Sequence, residues 1–314
     1  MKICFYNLAH IGDVYLMSIL MNIICKSNKN TQFYYYTILG DTFFKHLKNI
    51  KRINEYEEYN NILVDGSPPE NLLKKNYLIN QYLYTSFDNV IRDIDGDFSE
   101  KNSEFVLINT HCSIVGHNDF DVIDMVEKWK DKINYLNTKY RFNLEFIPNP
   151  EDMIIPFGTN ENNIKLESIV YKKKFFIYNY CPRSFGEFLI EYKTNFNNYV
   201  LNILQQNKDT IFIFATYDKL FDIDKNIIFC DRDLNIKPER SCINLETTWN
   251  LAKTCDLILL TVSGSSWTFL TDETVTFKNI YLFTYPNFEG YLKKLNNNIK
   301  FILQKNIEPI KSIL

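Results

Sequence analysis

The sequence lacks several patterns that define common classes of protein. It has no run of about 18 apolar residues, so no membrane-spanning helix is expected, although a peripheral membrane contact stays open. GxGxxG and GxxxxGK[ST] motifs do not occur, which argues against a dinucleotide-binding loop and a Walker loop. The net charge is only −3 over 314 residues and no basic stripe is present, so a nucleic-acid partner is not expected.

Paired cysteines are also missing. The seven cysteines stand singly and form no CxxC pair, so zinc-finger and thioredoxin-like sites are not predicted. Most of them lie in apolar segments. We therefore expect reduced, buried thiols in a cytoplasmic protein. We also expect no cofactor and no metal site.

What the sequence does have is an alternation of short apolar segments with amphipathic ones. In the first half we predict strands at 2–6, 32–39, 61–66 and 103–111, and helices at 13–25, 41–50, 68–79 and 121–136. In the second half we predict strands at 173–180, 209–216, 226–230, 256–262 and 279–285, helices at 186–206 and 247–254, a helix start at 265–272, and a mostly helical tail from 287. This alternation predicts an α/β fold with parallel sheets.

A segment rich in proline and asparagine interrupts the alternation between Ile147 and Leu166. We place a domain boundary there. The sequence thus predicts two Rossmann-like domains, 1–155 and 166–314, whose parallel sheets face each other across a cleft.

Ligands of open parallel sheets bind beyond the carboxyl ends of the strands, which selects a few loops. The first loop, "NLAHIGD", contains His10, Gly12 and Asp13. A carboxylate at a helix start, next to a glycine that permits close approach, can take a proton from an attacking hydroxyl. The alternative is a helix cap preceded by a turn glycine.

The loop "LLTVSGSSWTFL" follows a buried strand and contains Ser263, Gly264, Ser265 and Ser266. Free amides, a glycine and hydroxyl groups at a helix N-terminus form a site for phosphate oxygens. Arg183, the one charge in "YNYCPRSFG", is a candidate clamp for a diphosphate. A plain serine-rich cap and a surface ion pair are the respective alternatives.

Two other patterns have weaker functional interpretations. His111 and His117 follow a predicted strand, and His111 is a candidate acceptor contact or auxiliary base, whereas metal binding is not predicted. The acidic segments 93–97 and 231–233 match a DxD pattern that can hold a divalent cation on a diphosphate. We interpret both as solvated loops.

The first loop and the segment "TTWNLAKTCDLILLTVSGSSWTFL" resemble two motifs of the ADP-heptose:lipopolysaccharide heptosyltransferase family, a GT-B group of glycosyltransferases. The resemblance implies that Asp13 is the catalytic base and that the serine-rich turn binds a nucleotide sugar. Val262 and, approximately, Trp267 stand where the family has Asp and His, and Arg183 alone represents a Lys-Arg-Trp stretch.

The resemblance implies an inverting, metal-independent glycosyltransferase. It would transfer a sugar from a nucleotide-diphosphate donor in the second half to a glycan or glycolipid acceptor in the first half, as in polysaccharide biosynthesis. Three alternatives stay open: a catalytically inactive nucleotide-sugar-binding protein of the same fold, a nucleotide-sugar epimerase, and a metal-dependent GT-A transferase.

Overall fold

The computed structural model describes residues 2–7, 11–37, 41–52, 105–110, 122–153, 155, 173–180, 188–222, 225–236, 245–269, 278–284 and 300–303. The chain divides into two compact units, Met1–Ile155 and Pro156–Leu314. Each unit is built around its own parallel sheet.

The first unit contains four described strands, all parallel, in the spatial order β3-β2-β1-β4. Two α-helices lie within the described residues of this unit. The bounds are β1 (Lys2–Asn7), α1 (Ile11–Ser27), β2 (Phe33–Thr37), β3 (Ile50–Arg52), β4 (Phe105–Asn109) and α2 (Val122–Tyr140). Short 3₁₀ turns occupy Asp41–Phe44 and Pro150–Met153.

The second unit contains six described strands, again all parallel, in the order β10-β9-β8-β5-β6-β7. The bounds are β5 (Lys174–Tyr178), α3 (Phe188–Gln206), β6 (Ile211–Phe214), β7 (Ile227–Phe229), α4 (Leu245–Lys253), β8 (Leu257–Thr261), β9 (Asn279–Thr284) and β10 (Lys300–Leu303). Further 3₁₀ turns lie at Lys219–Phe221 and Gly264–Phe269.

Helix α1 is buried almost all round, which is why its sequence reads as an apolar run. Its few internal polar side chains find partners: the Ser18 hydroxyl donates to the carbonyl of Tyr15 at 2.6 Å, and the Asn22 amide donates to the carbonyl of Asp152 at 2.9 Å. Buried polar groups without such partners would each cost stability. The helix therefore packs as a central element of the first unit.

In the second unit an aromatic stripe explains how α3 packs on the sheet. Tyr192, Phe196 and Tyr199 follow helical spacing, and their rings surround the ring of Phe283 in β9 at centroid distances of 5.5, 5.4 and 5.6 Å. Strand β8 is buried over all its residues. Such continuous burial is typical of a parallel strand covered on both faces.

Three predictions of local structure are wrong. The predicted helix 41–50 is a 3₁₀ turn, Asp41–Phe44, followed by strand β3, because Phe43 and Phe44 are buried against Tyr15 and Tyr35 rather than along a helix face. The predicted helix start at 265–272 is a 3₁₀ turn through Phe269. The tail from 287 is predicted to be mostly helical, but its described residues, Lys300–Leu303, form β10, which pairs with β9 and so satisfies the backbone groups on that side of β9.

The predicted strand 61–66 and helix 68–79 lie outside the described residues. The other predicted elements are confirmed within a few residues of their ends. Cys4, Cys25, Cys230 and Cys255 are free and buried, as predicted for the thiols. Over the ranges that the structure describes, no helix combines the length and the apolar character needed to cross a membrane.

Candidate functional site

The strand order of the first sheet reverses between β1 and β4, which is where an open α/β sheet binds ligands. Asn7 at the end of β1 lies at this reversal and is fully buried. Its side-chain amide donates to the hydroxyl of Thr110, just beyond β4, at 3.2 Å and to the main-chain carbonyl of Asp13 at 3.4 Å. The Thr110 hydroxyl in turn donates to the carbonyl of Tyr6 at 3.0 Å. These contacts tie the first turn of α1 to the ends of β1 and β4.

Asp13 lies in the first turn of α1 and is half-buried. The backbone N–H groups of a first helical turn stabilise a nearby negative charge, so this position favours the ionised carboxylate of Asp13. Helix α1 begins at Ile11, earlier than predicted, and Gly12 is a buried residue within the helix instead of a turn glycine. A residue without a side chain lets the helix start pack closely at this point.

The strand order of the second sheet reverses between β5 and β8. The buried hydroxyl of Thr261, the last residue of β8, lies 3.1 Å from the carbonyl oxygen of Tyr178 and 2.7 Å from that of Tyr180. It donates its single proton to this pair of carbonyls and so joins the carboxyl ends of the two strands. The serine-rich segment begins two residues later.

Ser263–Ser266, called the serine turn below, closes on itself through reciprocal hydrogen bonds. The N–H of Ser263 donates to the hydroxyl of Ser266 at 3.1 Å, and the N–H of Ser266 lies 3.2 Å from the hydroxyl of Ser263. The Ser266 hydroxyl donates to the carbonyl of Ser263 at 2.6 Å. Such reciprocal capping is a known way to satisfy the first amides of a turn.

The serine hydroxyls point into the protein. Ser263, Ser265 and Ser266 are at most 4% exposed, and the hydroxyls of Ser263 and Ser265 lie 3.1 Å apart. The phenol of Tyr178 lies 2.5 Å from the hydroxyl of Ser265. Gly264 alone in the turn is half-buried. The part of the turn that a ligand can contact is therefore the backbone around Gly264. The sequence predicts that the serine hydroxyls also face the ligand, but they are buried.

The structure thus brings Ser263, Gly264, Ser265 and Ser266 together, and places Gly12 and Asp13 at the switch point of the other sheet. The catalytic candidate His111, the loop residue His10 and the clamp candidate Arg183 lie outside the described residues, as does His117. Val262 is buried, and Trp267 lies in the 3₁₀ turn. The pairing of the two loops in one site stays a prediction.

Sequence reasoning missed the polar residues that support each loop: Asn7, Thr110, Tyr178 and Tyr192. Asn7 is the last residue of β1 and Thr110 directly follows β4, so their positions at strand ends were the signal that could have found them. Tyr178 lies in an apolar strand and Tyr192 in an amphipathic helix, and the sequence has 21 tyrosines, so nothing in their local pattern marks them.

The DxD segment at 231–233 makes hydrogen bonds to nearby backbone groups and so stabilises the local fold. Both carboxylate oxygens of Asp231 accept from the N–H of Tyr217, at 2.8 and 2.9 Å, and Asp233 accepts from the N–H of Phe229 at 2.8 Å. The guanidinium of Arg232 also binds Asp233 and thereby lowers the pKa of that carboxyl group. In the part of the chain that the structure describes, no group of three or more His, Cys, Asp or Glu side chains could hold a metal ion.

Neither a protein-family profile nor a curated protein sequence matches this chain. Solved structures do. ADP-heptose LPS heptosyltransferase II from E. coli aligns with 96% of this chain and 90% of its own, at 9% identity and a TM-score of 0.51.

The chain has the GT-B fold. Two further structures align less closely: E. coli heptosyltransferase WaaC with ADP, over 96% of this chain and 93% of its own (7% identity, TM-score 0.46), and a putative UDP-N-acetylglucosamine 2-epimerase from Listeria monocytogenes, over 97% and 84% (11% identity, TM-score 0.43). At 9% identity the likeness to heptosyltransferase II concerns the fold alone, and the predicted GT-B fold is confirmed at that level.

Proposed function

We propose that this chain is an inverting, metal-independent glycosyltransferase that transfers a sugar from a nucleotide-diphosphate donor to a hydroxyl of a glycan or glycolipid. One observation carries the proposal: each candidate loop lies where the strand order of its own sheet reverses. Asp13 follows β1 at the β1/β4 reversal, and the serine turn follows β8 at the β5/β8 reversal. Loops at such positions bind ligands in open α/β sheets.

In this proposal the donor's diphosphate binds to the backbone of the serine turn. The N–H groups of Gly264 and Ser265 stand in the first turn of a 3₁₀ helix, where no intrahelical acceptor exists for them. The turn is too short for a helix dipole to contribute much, so these amides are the donors that remain. They stabilise negative charge on the nucleoside diphosphate as it leaves.

Asp13 acts as the general base. Its carboxylate removes the proton from the acceptor hydroxyl while the hydroxyl oxygen attacks the anomeric carbon. The bond from that carbon to the diphosphate oxygen breaks, and attack opposite the leaving group inverts the configuration. General-base catalysis of this kind contributes on the order of 10²- to 10⁴-fold to a rate. His111 and Arg183 are the additional candidates, for the acceptor and the diphosphate respectively.

A nucleotide-sugar panel tests the proposal. The chain is screened for a rise in melting temperature with ADP-, GDP-, UDP- and dTDP-sugars, and then for release of the nucleoside diphosphate with and without glycan acceptors. We expect stabilisation by one donor class and acceptor-dependent release that persists in EDTA. Loss of activity in EDTA would indicate the GT-A alternative, and a changed sugar without acceptor would indicate an epimerase.

The inactive binding protein is the second candidate, and Val262 favours it. This buried aliphatic residue stands where the resembling family has a carboxylate, next to the serine turn. A protein of this kind is stabilised by a nucleotide sugar but releases no nucleoside diphosphate with any acceptor.

A further inference from the structure

Two buried tyrosine hydroxyls, both from elements that precede β8 in the sequence, contact the serine turn and the residue in front of it. Tyr192 belongs to α3, which precedes β8 by some 50 residues of sequence, and Tyr178 is the last residue of β5. Both side chains are at most 2% exposed. A buried phenol that makes defined hydrogen bonds at a ligand-binding edge is a candidate for positioning.

The Tyr192 hydroxyl stands between the ends of β8 and β9. It accepts from the N–H of Val262 at 2.7 Å and donates to the carbonyl of Phe283 at 2.6 Å. Thr261 and Phe283 form the final pair in the β8–β9 register. The phenol therefore bridges two backbone groups just where strand pairing ends, and a hydroxyl has the one proton and the lone pairs that both bonds require.

Because the Tyr192 hydroxyl lies between these two backbone groups, it determines where the chain leaves the sheet after β8. Val262 is the residue directly before the serine turn, so its N–H fixes the backbone at the turn's entrance. The ring of Tyr192 is itself held by packing against Phe283 at a centroid distance of 5.5 Å. The hydroxyl thus has little freedom to move away from the two strand ends.

Tyr178 holds the middle of the turn. Its hydroxyl lies 2.5 Å from the hydroxyl of Ser265, which continues to the hydroxyl of Ser263 at 3.1 Å. The Tyr178 ring packs against Phe269, at the other end of the 3₁₀ turn, at 5.0 Å between centroids. A chain of hydroxyls therefore connects β5 to the turn across the switch point of the sheet.

We propose that Tyr178 and Tyr192 are positioning residues that hold the serine turn in the backbone conformation that binds the donor's diphosphate. The inference rests on the proposed function. Both phenols are buried and bonded to the turn or to its entrance, so in this proposal they act through the turn's backbone and not by contact with the ligand. Their contribution is preorganisation, because a turn that is already in the bound conformation loses less entropy on binding.

The test compares three Tyr→Phe substitutions, each of which removes one buried oxygen. Tyr178→Phe and Tyr192→Phe break the contacts above. Tyr199→Phe is the matched control, because Tyr199 lies on α3, is 2% exposed, and its hydroxyl has no hydrogen-bond partner among the described residues. Dissociation constants for ADP, GDP, UDP and dTDP are measured by calorimetry, together with the melting temperature of each variant.

We expect the bound nucleotide's dissociation constant to rise at least about tenfold in Tyr178→Phe, which loses one hydrogen bond, and in Tyr192→Phe, which loses two, and to stay within about twofold in Tyr199→Phe. Ser265→Ala removes the other end of the Tyr178 contact, so combining it with Tyr178→Phe should weaken binding less than the product of the two single effects. This pair tests the proposal even where Tyr192→Phe does not fold.

A lower melting temperature with an unchanged dissociation constant in Tyr178→Phe and Tyr192→Phe would overturn the positioning role, since a purely structural tyrosine gives that result. An equal loss of affinity in Tyr199→Phe would overturn it too. If the unaltered chain binds none of the nucleotides, the proposed function itself fails. Binding by the unaltered chain with unaffected variants contradicts the positioning role alone.

Discussion

The carboxylate of Asp13 is the group on which the proposed chemistry depends. It is half-buried in the first turn of α1, whose start is tied to β1 and β4 by the Asn7 amide. Asparagine keeps the shape of aspartate but cannot take a proton. Asp13→Asn should therefore lower sugar transfer by at least about 10²-fold and leave the dissociation constant of the nucleotide unchanged.

The matched control for this experiment is Asp131→Asn, which neutralises an exposed carboxylate on α2 in the same unit. It should retain near-normal turnover. Normal turnover in Asp13→Asn, measured with the same donor and acceptor, would remove Asp13 from the mechanism.

The protonation of His46 makes the free energy of unfolding depend on pH. Its Nε2 lies 3.3 Å from the side-chain oxygen of Asn22 in α1. Burial, and after it the nearby charge of Lys26, lower the pKa of His46 from 6.5 to about 4, although a backbone hydrogen bond to Phe43 acts in the opposite direction. The unfolded chain therefore binds a proton at a pH at which the folded chain does not.

The consequence is a loss of stability in acid. The contribution of neutral His46 is fully present above its unfolded pKa of 6.5 and is lost as the pH falls from there towards 4. We expect the free energy of unfolding to fall between pH 7 and pH 4.5, with His46 responsible for on the order of 2 kcal/mol of the fall. Urea titrations of His46→Gln, which does not titrate, should show a correspondingly shallower dependence. Identical curves for the two proteins would contradict this assignment.

At the scale of elements, the end of α1 is held by a residue that the sequence places in a predicted helix. The side-chain amide of Asn49, just before β3, lies 3.2 Å from the carbonyl oxygen of Cys25, 2.9 Å from that of Asn28 and 3.0 Å from that of Thr31. The last carbonyl groups of a helix have no intrahelical donor, and Asn49 supplies one to Cys25 from 24 residues away. Asn49 lies in a bend directly before β3, where the sequence predicts a helix.

Asn49→Ala should lower the free energy of unfolding by about 1–3 kcal/mol, because the carbonyl groups it serves lose their donor while partly buried. Urea denaturation measures the change. Asn198→Ala, at an exposed position of α3, is the control and should change the free energy by less than about 0.5 kcal/mol. A result for Asn49→Ala in that smaller range would mean that water replaces the amide at little cost.

At the scale of the whole molecule, the two units have separate sheets. The proposed base, Asp13, belongs to the first unit and the proposed donor site, the serine turn, to the second. A nucleoside diphosphate alone should therefore protect one unit. In hydrogen exchange we expect slower exchange at the end of β8 and through the serine turn, and unchanged exchange in α2 of the first unit. Equal protection of both regions, or protection of α2 alone, would contradict the assignment of the donor to the second unit.

Much of the fold follows from local pattern. Runs such as Leu257–Thr261 are apolar throughout because a parallel strand is buried on both faces, and the same reason makes them recognisable without coordinates. The segments around Asp13 and Ser263 could be selected because each follows such a run. The positions of these loops at strand ends could thus be predicted from the sequence. The roles of His10, His111 and Arg183 in the site stay predictions.

Other features depend on neighbours that are distant in sequence. Strand order decides that β1 meets β4 and β5 meets β8, and with it where the switch points lie. Strand β10 exists by pairing with β9, and the segment around Phe43 is a 3₁₀ turn because its rings pack against other elements. Intrinsic preference is weak against such packing.

Periodicity and composition by themselves determined that this chain alternates strands with helices and that polar loops follow two of its buried strands. Both can be recognised locally, because buried positions are occupied by apolar residues at regular spacing. Only the tertiary structure decided what those loops present to a ligand. The serine hydroxyls turn inward because the phenol of Tyr178, 87 residues earlier, meets Ser265, and the turn begins where it does because Tyr192 reaches Val262. Hydrogen bonds between side chains depend on distance in space, which local sequence does not encode.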